Sequence, residues 1–459
     1  MNYFDITLSV AKIACGAHTM NFMNSINRQL FFIPALTVCA VTLLLYCKSP
    51  SMFWSPRFFG EEGTILFPKF LQQPALVSVF NVYLGSLYLL TNLAVLLSTT
   101  VSLEYAPVPT TCIAFAVQAI VAYQLGAFIR EYDIGRMPAI LLVVAYCLQW
   151  GSYEVSMSAT NLQWVLGVSA LLILVMPVQW IKKYRLCCYS WLFFSGLSGV
   201  PVAILAPAFF FRFLMTMERP LFVICVILGT CALLQLTLII SSGSHGRSYS
   251  VDYAQLFFPI LMQTLIEPIV GPETISLIGT YISGALPGIG MLGISMIVLS
   301  LGFASAVVFV SWDKKNKILV ATILFAGIYI TLIQTVAALQ KPTLMTGAGS
   351  RYFFTGVTSV LLLCAVGSLN SDKTKRTMAK GVLLLITCGG VTQFFAGTWN
   401  QYFTTGPSFY AQSIECQRQP SCIIQLWPND GITYLRIDDD RIVSSLYPLQ
   451  LPPIPVKAP

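Results

Sequence analysis

The feature that most constrains this chain is a succession of long apolar runs, at about 31–47, 82–103, 110–129, 138–149, 163–180, 188–212, 220–240, 289–311, 318–338, 352–369 and 381–397. Most are long enough to cross a hydrocarbon core of about 30 Å as a helix. Composition agrees: 56% of the 459 residues are hydrophobic and 10% are charged, against about 25% charged in soluble proteins. The expected fold is an all-α polytopic membrane protein of about 10–13 transmembrane or re-entrant helices, and a water-soluble enzyme is excluded.

The formal net charge of +8 does not point to nucleic acid, because the bases are scattered between apolar runs rather than massed in a stripe. They mark topology. Short clusters at Lys182-Lys183-Tyr184-Arg185, Lys314-Lys315-Asn316-Lys317 and around Lys375-Arg376 assign those turns to the cytoplasm by the positive-inside rule. Strict alternation fails unless two runs enter and leave on one face. The best candidates are 82–107 and 188–212, the latter broken by Ser195-Gly196-Leu197-Ser198-Gly199-Val200-Pro201, a density of Gly and Pro that predicts two short half-helices or a re-entrant pair. Residues 1–29 read as a cytoplasmic segment without a cleavable signal, and Phe31–Cys47 as an uncleaved anchor.

The membrane domain then runs from 30 to 397. The other face receives loop 48–80, the segment around Asn161, loops 241–288 and 340–351, and a tail from 398 to 459 that has soluble character. Short β-like runs, Cys422–Leu426 and Thr433–Ile437, flank a Pro428-Asn429-Asp430-Gly431 turn. Cys416 and Cys422 are close enough for a local disulfide in an oxidising compartment, the alternative being two free thiols.

Loop 48–80 carries the most informative segment, Arg57-Phe58-Phe59-Gly60-Glu61-Glu62-Gly63. Two adjacent carboxylates near the membrane plane repel each other and lose hydration, which raises at least one pKa toward the range of a general base. Other motifs are weaker. Gly288-Ile289-Gly290-Met291-Leu292-Gly293 has GxGxxG spacing but opens an apolar run with no preceding strand, so it reads as helix packing. Asp438-Asp439-Asp440 reads as a solvated acidic run, and His18 and His245 have no zinc spacing.

A first helix followed by an outward loop bearing an acid resembles the GT-C superfamily of integral-membrane glycosyltransferases, which use polyprenyl-phosphate sugars. Residues 57–63 resemble the Arg-aromatic-x-small-Glu-Asp-Gly signature of its bacterial members, with Glu62 where Asp is usual, which leaves open which acid is the base. Glu154 with Asn161-Leu162-Gln163-Trp164 is similar to that family's Glu...Asn-x-(Gln or His)-Trp segment. Ser350-Arg351-Tyr352-Phe353 is similar to its late Ser-Arg-Tyr-Phe motif, and the tail with Cys416, Cys422 and Trp427-Pro428 to its terminal cap.

The resemblance implies a GT-C-like bundle with a C-terminal extracytoplasmic cap, in a bacterial inner membrane with the active site facing the periplasm. It implies transfer of a sugar from a polyprenyl-phosphate donor to a surface glycan or glycolipid such as O-antigen, by an inverting mechanism. Glu61 or Glu62 would be the base, Arg351 the leading donor-phosphate ligand, and Arg57, Lys69 and Arg247 further ones. Glu154, Asn161, Gln163, Trp164 and Tyr352 would bind sugar or acceptor. Assistance by a divalent cation is left open, and nucleic acid is not an expected partner. The rival reading is a secondary transporter or lipid-linked sugar flippase, which would concentrate polar groups near the bilayer midplane.

Overall fold

The computed structural model describes residues 25–242, 259–284, 291–338, 349–396, 406–427, 433–438, 441–444 and 454–455. The chain is mostly helical. Five helical stretches are long and apolar enough to cross a membrane, namely Leu103–Glu131, Arg219–Ser241, Lys317–Val336, Ser350–Gly367 and Lys373–Ala396. Seven shorter apolar helices accompany them among the described residues.

Two helices form the centre. Helix α1, Leu162–Val175, is buried almost throughout, and so is α2, Phe354–Gly367. A helix that is apolar all round has no face to offer water, so it must be enclosed by other helices or lipid. The two pack on each other. The long helix Pro107–Glu131 packs on α1 and Lys317–Ala338 packs on both, while the first helix, Ser25–Lys48, packs against Pro107–Glu131 and Arg136–Leu148. The first helix and Pro107–Glu131 approach closely at Gly126, where a Cβ would stand 2.6 Å from the Pro34 Cα and 2.7 Å from the Thr37 hydroxyl. Small residues permit such contact where helix association relies on packing.

The two irregular runs behave differently from regular spans. Residues 82–103 are not one helix. Strands Val82–Tyr83 and Ser86–Leu87 pair as an antiparallel hairpin, and only Leu89–Ser98 is helical. Leu84 and Gly85 both have positive φ, as a two-residue hairpin turn of the primed type requires. Gln235 satisfies the buried backbone of the second strand: its side-chain oxygen accepts from the Leu87 amide at 2.9 Å, and its nitrogen donates to the Leu87 carbonyl at 3.0 Å. Ten helical residues rise about 15 Å, half the hydrocarbon thickness. Run 188–212 is broken as its Gly and Pro content suggests, into Arg185–Gly196, Val200–Ala203 and Ala206–Thr216. The freed carbonyl of Leu197 accepts from the Leu89 amide at 3.1 Å, so one irregular segment satisfies the other.

Loop 48–80 is itself largely helical. It contains Pro50–Trp54, a π-turn at Glu62–Leu66, Phe67–Gln72 and Ala75–Val79. Pro50 and Pro68 stand in first turns, where the missing N–H costs nothing. The C-terminal unit has a helix, Phe409–Cys416, and a four-stranded antiparallel sheet, Ser421–Gln425, Tyr434–Asp438, Arg441–Ser444 and Ile454–Pro455. Cys416 and Cys422 are disulfide-bonded, with Cα atoms 5.4 Å apart.

Candidate functional site

The Arg57–Gly63 segment is sewn to the C-terminal unit. The Trp427 amide donates to the Phe58 carbonyl at 2.9 Å and the Gly60 amide to the Trp427 carbonyl at 2.6 Å, so Phe59 and Trp427 form a parallel bridge. Phe58, Leu66, Phe67 and Phe70 bury themselves against Phe409, Ile424, Leu426 and Leu435. Gly63 is required here, because a Cβ would stand 2.6 Å from a Leu426 methyl and 2.8 Å from the Phe58 Cβ. The arrangement fixes the two acids against a rigid seam.

The acids receive different surroundings. Glu62 is 2% exposed, and its carboxylate accepts hydrogen bonds from the Phe59 amide at 3.2 Å, the Ser158 hydroxyl at 3.1 Å and the Thr160 amide at 2.9 Å. Burial pushes it up to about 7, against the opposing pull of those bonds. Glu61 keeps part of its surface open and acts electrostatically on Arg351. Glu62 thus clamps the 158–160 turn, while Glu61 is the acid with room for a substrate proton.

Arg351 sits in a 3-10 turn, Ser350–Phe353, at the start of α2. Its side chain is 18% exposed and pairs with Glu154 at 3.5 Å. Gly151 lets the two segments meet, since a Cβ there would stand 2.8 Å from the Ser350 carbonyl oxygen. The Asn161 amide donates to the Glu154 carbonyl at 2.8 Å, and Trp164 packs edge-on against Tyr352, ring centres 4.8 Å apart. Glu61, Glu154, Arg351, Tyr352, Asn161 and Trp164 therefore gather in one neighbourhood although they come from three distant segments. The Trp164 indole N–H and the Arg351 Nε are buried without a partner among the described residues.

Other expected residues lie elsewhere. Arg57 is buried with its guanidinium 5.2 Å from the centre of the Trp427 ring, and burial lowers it to about 10; it belongs to the seam. Lys69, lowered by burial, lies on Phe67–Gln72, and no ion pair joins it to Glu61 or Glu154 among the described residues. Gln163 packs under the break at Gly199. Arg247 lies outside the described residues.

Sequence reasoning missed three groups. The Lys48 ammonium donates to the Ser152 hydroxyl at 2.7 Å and lies 3.7 Å from the Tyr153 ring centre, fastening the first helix to the turn that carries Glu154. Glu267 is 1% exposed and close enough to Glu154 to act on it electrostatically. Gln334 is 3% exposed. A lone acid in the apolar stretch Phe257–Ile269 was the available signal for Glu267. Among the described residues no group of three or more His, Cys, Asp or Glu side chains could hold a metal ion. Comparison with protein-family models, curated proteins and solved structures found no match.

Proposed function

We propose that this chain is an integral-membrane glycosyltransferase of GT-C type that moves a sugar from a polyprenyl-phosphate donor to a surface glycan or glycolipid on the periplasmic face. The observation that carries the reading is the partly open carboxylate of Glu61 acting on Arg351, which Glu154 holds in place. A glycosyl transfer from a phosphate needs both a base and a cation.

In this reading the acceptor hydroxyl oxygen attacks the anomeric carbon from the side opposite the phosphate, and its proton passes to Glu61. The bond from the anomeric carbon to the phosphate oxygen breaks, and that oxygen leaves with the electron pair. Arg351 neutralises the departing phosphate, with a guanidinium that can hold two of its oxygens. Attack opposite the leaving group inverts the anomeric centre. Glu62 positions rather than reacts, because its oxygens are engaged by the 59 amide and the 158–160 turn.

A second reading, a lipid-linked sugar flippase, draws support from Glu267 and Gln334, polar side chains buried in the bundle. Glycan mass spectrometry of cells lacking the gene separates the two. A transferase leaves the acceptor glycan intact but undecorated and the donor accumulating on the outer face, whereas a flippase leaves the lipid-linked intermediate on the cytoplasmic face.

A further inference from the structure

The end of the bundle away from Glu61 and Arg351 carries charge of its own. The central helix Leu162–Val175 starts beside Asn161 at the candidate site, so its last residue lies about 20 Å further along the bundle. Beyond it come the short helix Val178–Lys183 and the helix Arg185–Gly196. Arg185–Gly196 packs against Arg219–Ser241. A Cβ on Gly196 would stand 2.9 Å from the Cys231 Cβ, and the Lys182 ammonium pairs with Glu218 at 2.9 Å just before the two helices begin. The helices therefore run side by side in the same direction and start level, with Arg185 and Arg219 as their first residues.

Lys183, Arg185 and Arg219 are exposed at this corner. None of them pairs with a carboxylate among the described residues, since Glu218 is taken by Lys182 and Glu131 by Arg130. Backbone dipoles add to the charge rather than offset it, because a cation at the start of a helix meets the dipole's positive end. Tyr189 is close enough to feel both arginines, and the Lys183 ammonium lies 5.2 Å from the Tyr184 ring centre. Along the same two helices, next to these cations, Leu186, Phe193 and Phe222 are exposed apolar side chains.

Cations at one level with apolar side chains continuing from them match a lipid that carries an anionic headgroup above its hydrocarbon tails. A dissolved anion would need no apolar surface beside it, and a zwitterionic headgroup would bring a cation of its own. Tyrosine suits the boundary, where amphipathic rings concentrate. Basic clusters between membrane helices recognise anionic headgroups, with a factor of about five in affinity for each Lys or Arg near the surface. We propose that Lys183, Arg185 and Arg219 hold the headgroup of an anionic phospholipid at the membrane face opposite the candidate active site. Its binding steadies helix Arg185–Gly196, beyond which the Leu197 carbonyl accepts from the Leu89 amide. The corner keeps its lipid whether the chain transfers a sugar or carries one across.

The test uses the full chain in nanodiscs of phosphatidylcholine with phosphatidylglycerol, and native mass spectrometry of the lipids retained on release. The native chain should retain phosphatidylglycerol at least tenfold over phosphatidylcholine. The triple variant Lys183→Gln, Arg185→Gln and Arg219→Gln should lose that preference, whereas exchanging one base for the other, as Lys183→Arg, Arg185→Lys and Arg219→Lys, should keep most of it. Lys314→Gln, Lys315→Gln and Lys317→Gln together remove the same charge from the same end of the bundle, where helix Lys317–Ala338 begins, and should leave the preference in place. Equal loss in the two glutamine variants would overturn the proposal, because the bases would then act only as a diffuse positive face. An undiminished preference in the Lys183, Arg185 and Arg219 glutamine variant would overturn it as well. Two further outcomes are read on the native chain alone: equal retention of both lipids, or release of phosphatidylglycerol by inorganic phosphate at matched concentration. Either would contradict the assignment, the second by making the corner a site for a dissolved ion.

Discussion

At Glu61 and Glu62, adjacent residues of one type are given opposite tasks by what surrounds them. Glu62 lies in a pocket that would suit a base by its shift to about 7, yet its oxygens already accept from the 59 amide and the 158–160 turn. Glu61→Gln should lower transfer at least a hundredfold at normal protein level, the usual scale for losing a general base. Glu62→Gln should instead destabilise the loop by about 1–3 kcal/mol, because an amide presents N–H to one of these donors. The pH dependence has a definite sign. The folded-state value lies above the unfolded one near 4.5, so the folded chain binds the extra proton, and stability falls as pH rises from about 4.5 to about 7. Subtracting the melting curves of Glu62→Gln from those of the native chain across that window should reveal a loss of about 3 kcal/mol belonging to this one group. A difference that does not vary with pH would show that Glu62 is ionised throughout.

At the scale of elements, the hairpin at 82–87 and the broken run 185–216 depend on borrowed hydrogen bonds. Gln235→Leu keeps the side-chain volume but leaves the Leu87 N–H and carbonyl without the Gln235 amide; it should cost about 2 kcal/mol or more, read as a lower melting temperature in detergent with intact helicity. The contrast between these two segments shows what the sequence made legible. Gly and Pro announced the break near Gly199, because their backbone effects are local. The hairpin was not announced: Val82, Tyr83, Leu84 and Leu87 are apolar, and the partner that completes their backbone lies about 150 residues away at Gln235. The site was legible to the same degree. Glu61, Glu62, Glu154, Asn161, Trp164, Arg351 and Tyr352 stand out as polar or aromatic groups beside apolar runs, whereas Lys48, at the end of the first helix, shows its hold on the turn at Ser152 only in the folded chain. The disparity between Glu61 and Glu62 was equally invisible, since it depends on the distant turn at 158–160.

For the whole molecule, the C-terminal unit shapes the site without supplying its chemistry. Its Trp427 bonds to Phe58 and Gly60 and carries Arg57 on its ring, so anything that detaches it should loosen the acids as well. Trp427→Ala should leave the helical bundle folded, expose 57–72 to limited proteolysis and reduce transfer more than tenfold; unchanged cleavage and activity would make the seam incidental. The scarcity of charge gives these contacts their weight, because a chain with 10% charged residues places two carboxylates, Glu61 and Glu154, around one arginine in the same neighbourhood. The most direct test of this assembly is transfer by the purified native chain, Glu61→Gln and Arg351→Ala, from a polyprenyl-phosphate sugar to the acceptor glycan, followed by mass spectrometry. Transfer by the native chain with an inverted anomeric linkage, and its loss in both variants, is the predicted result. Full transfer by Glu61→Gln, or no transfer by the native chain from any polyprenyl-phosphate sugar, would contradict the account.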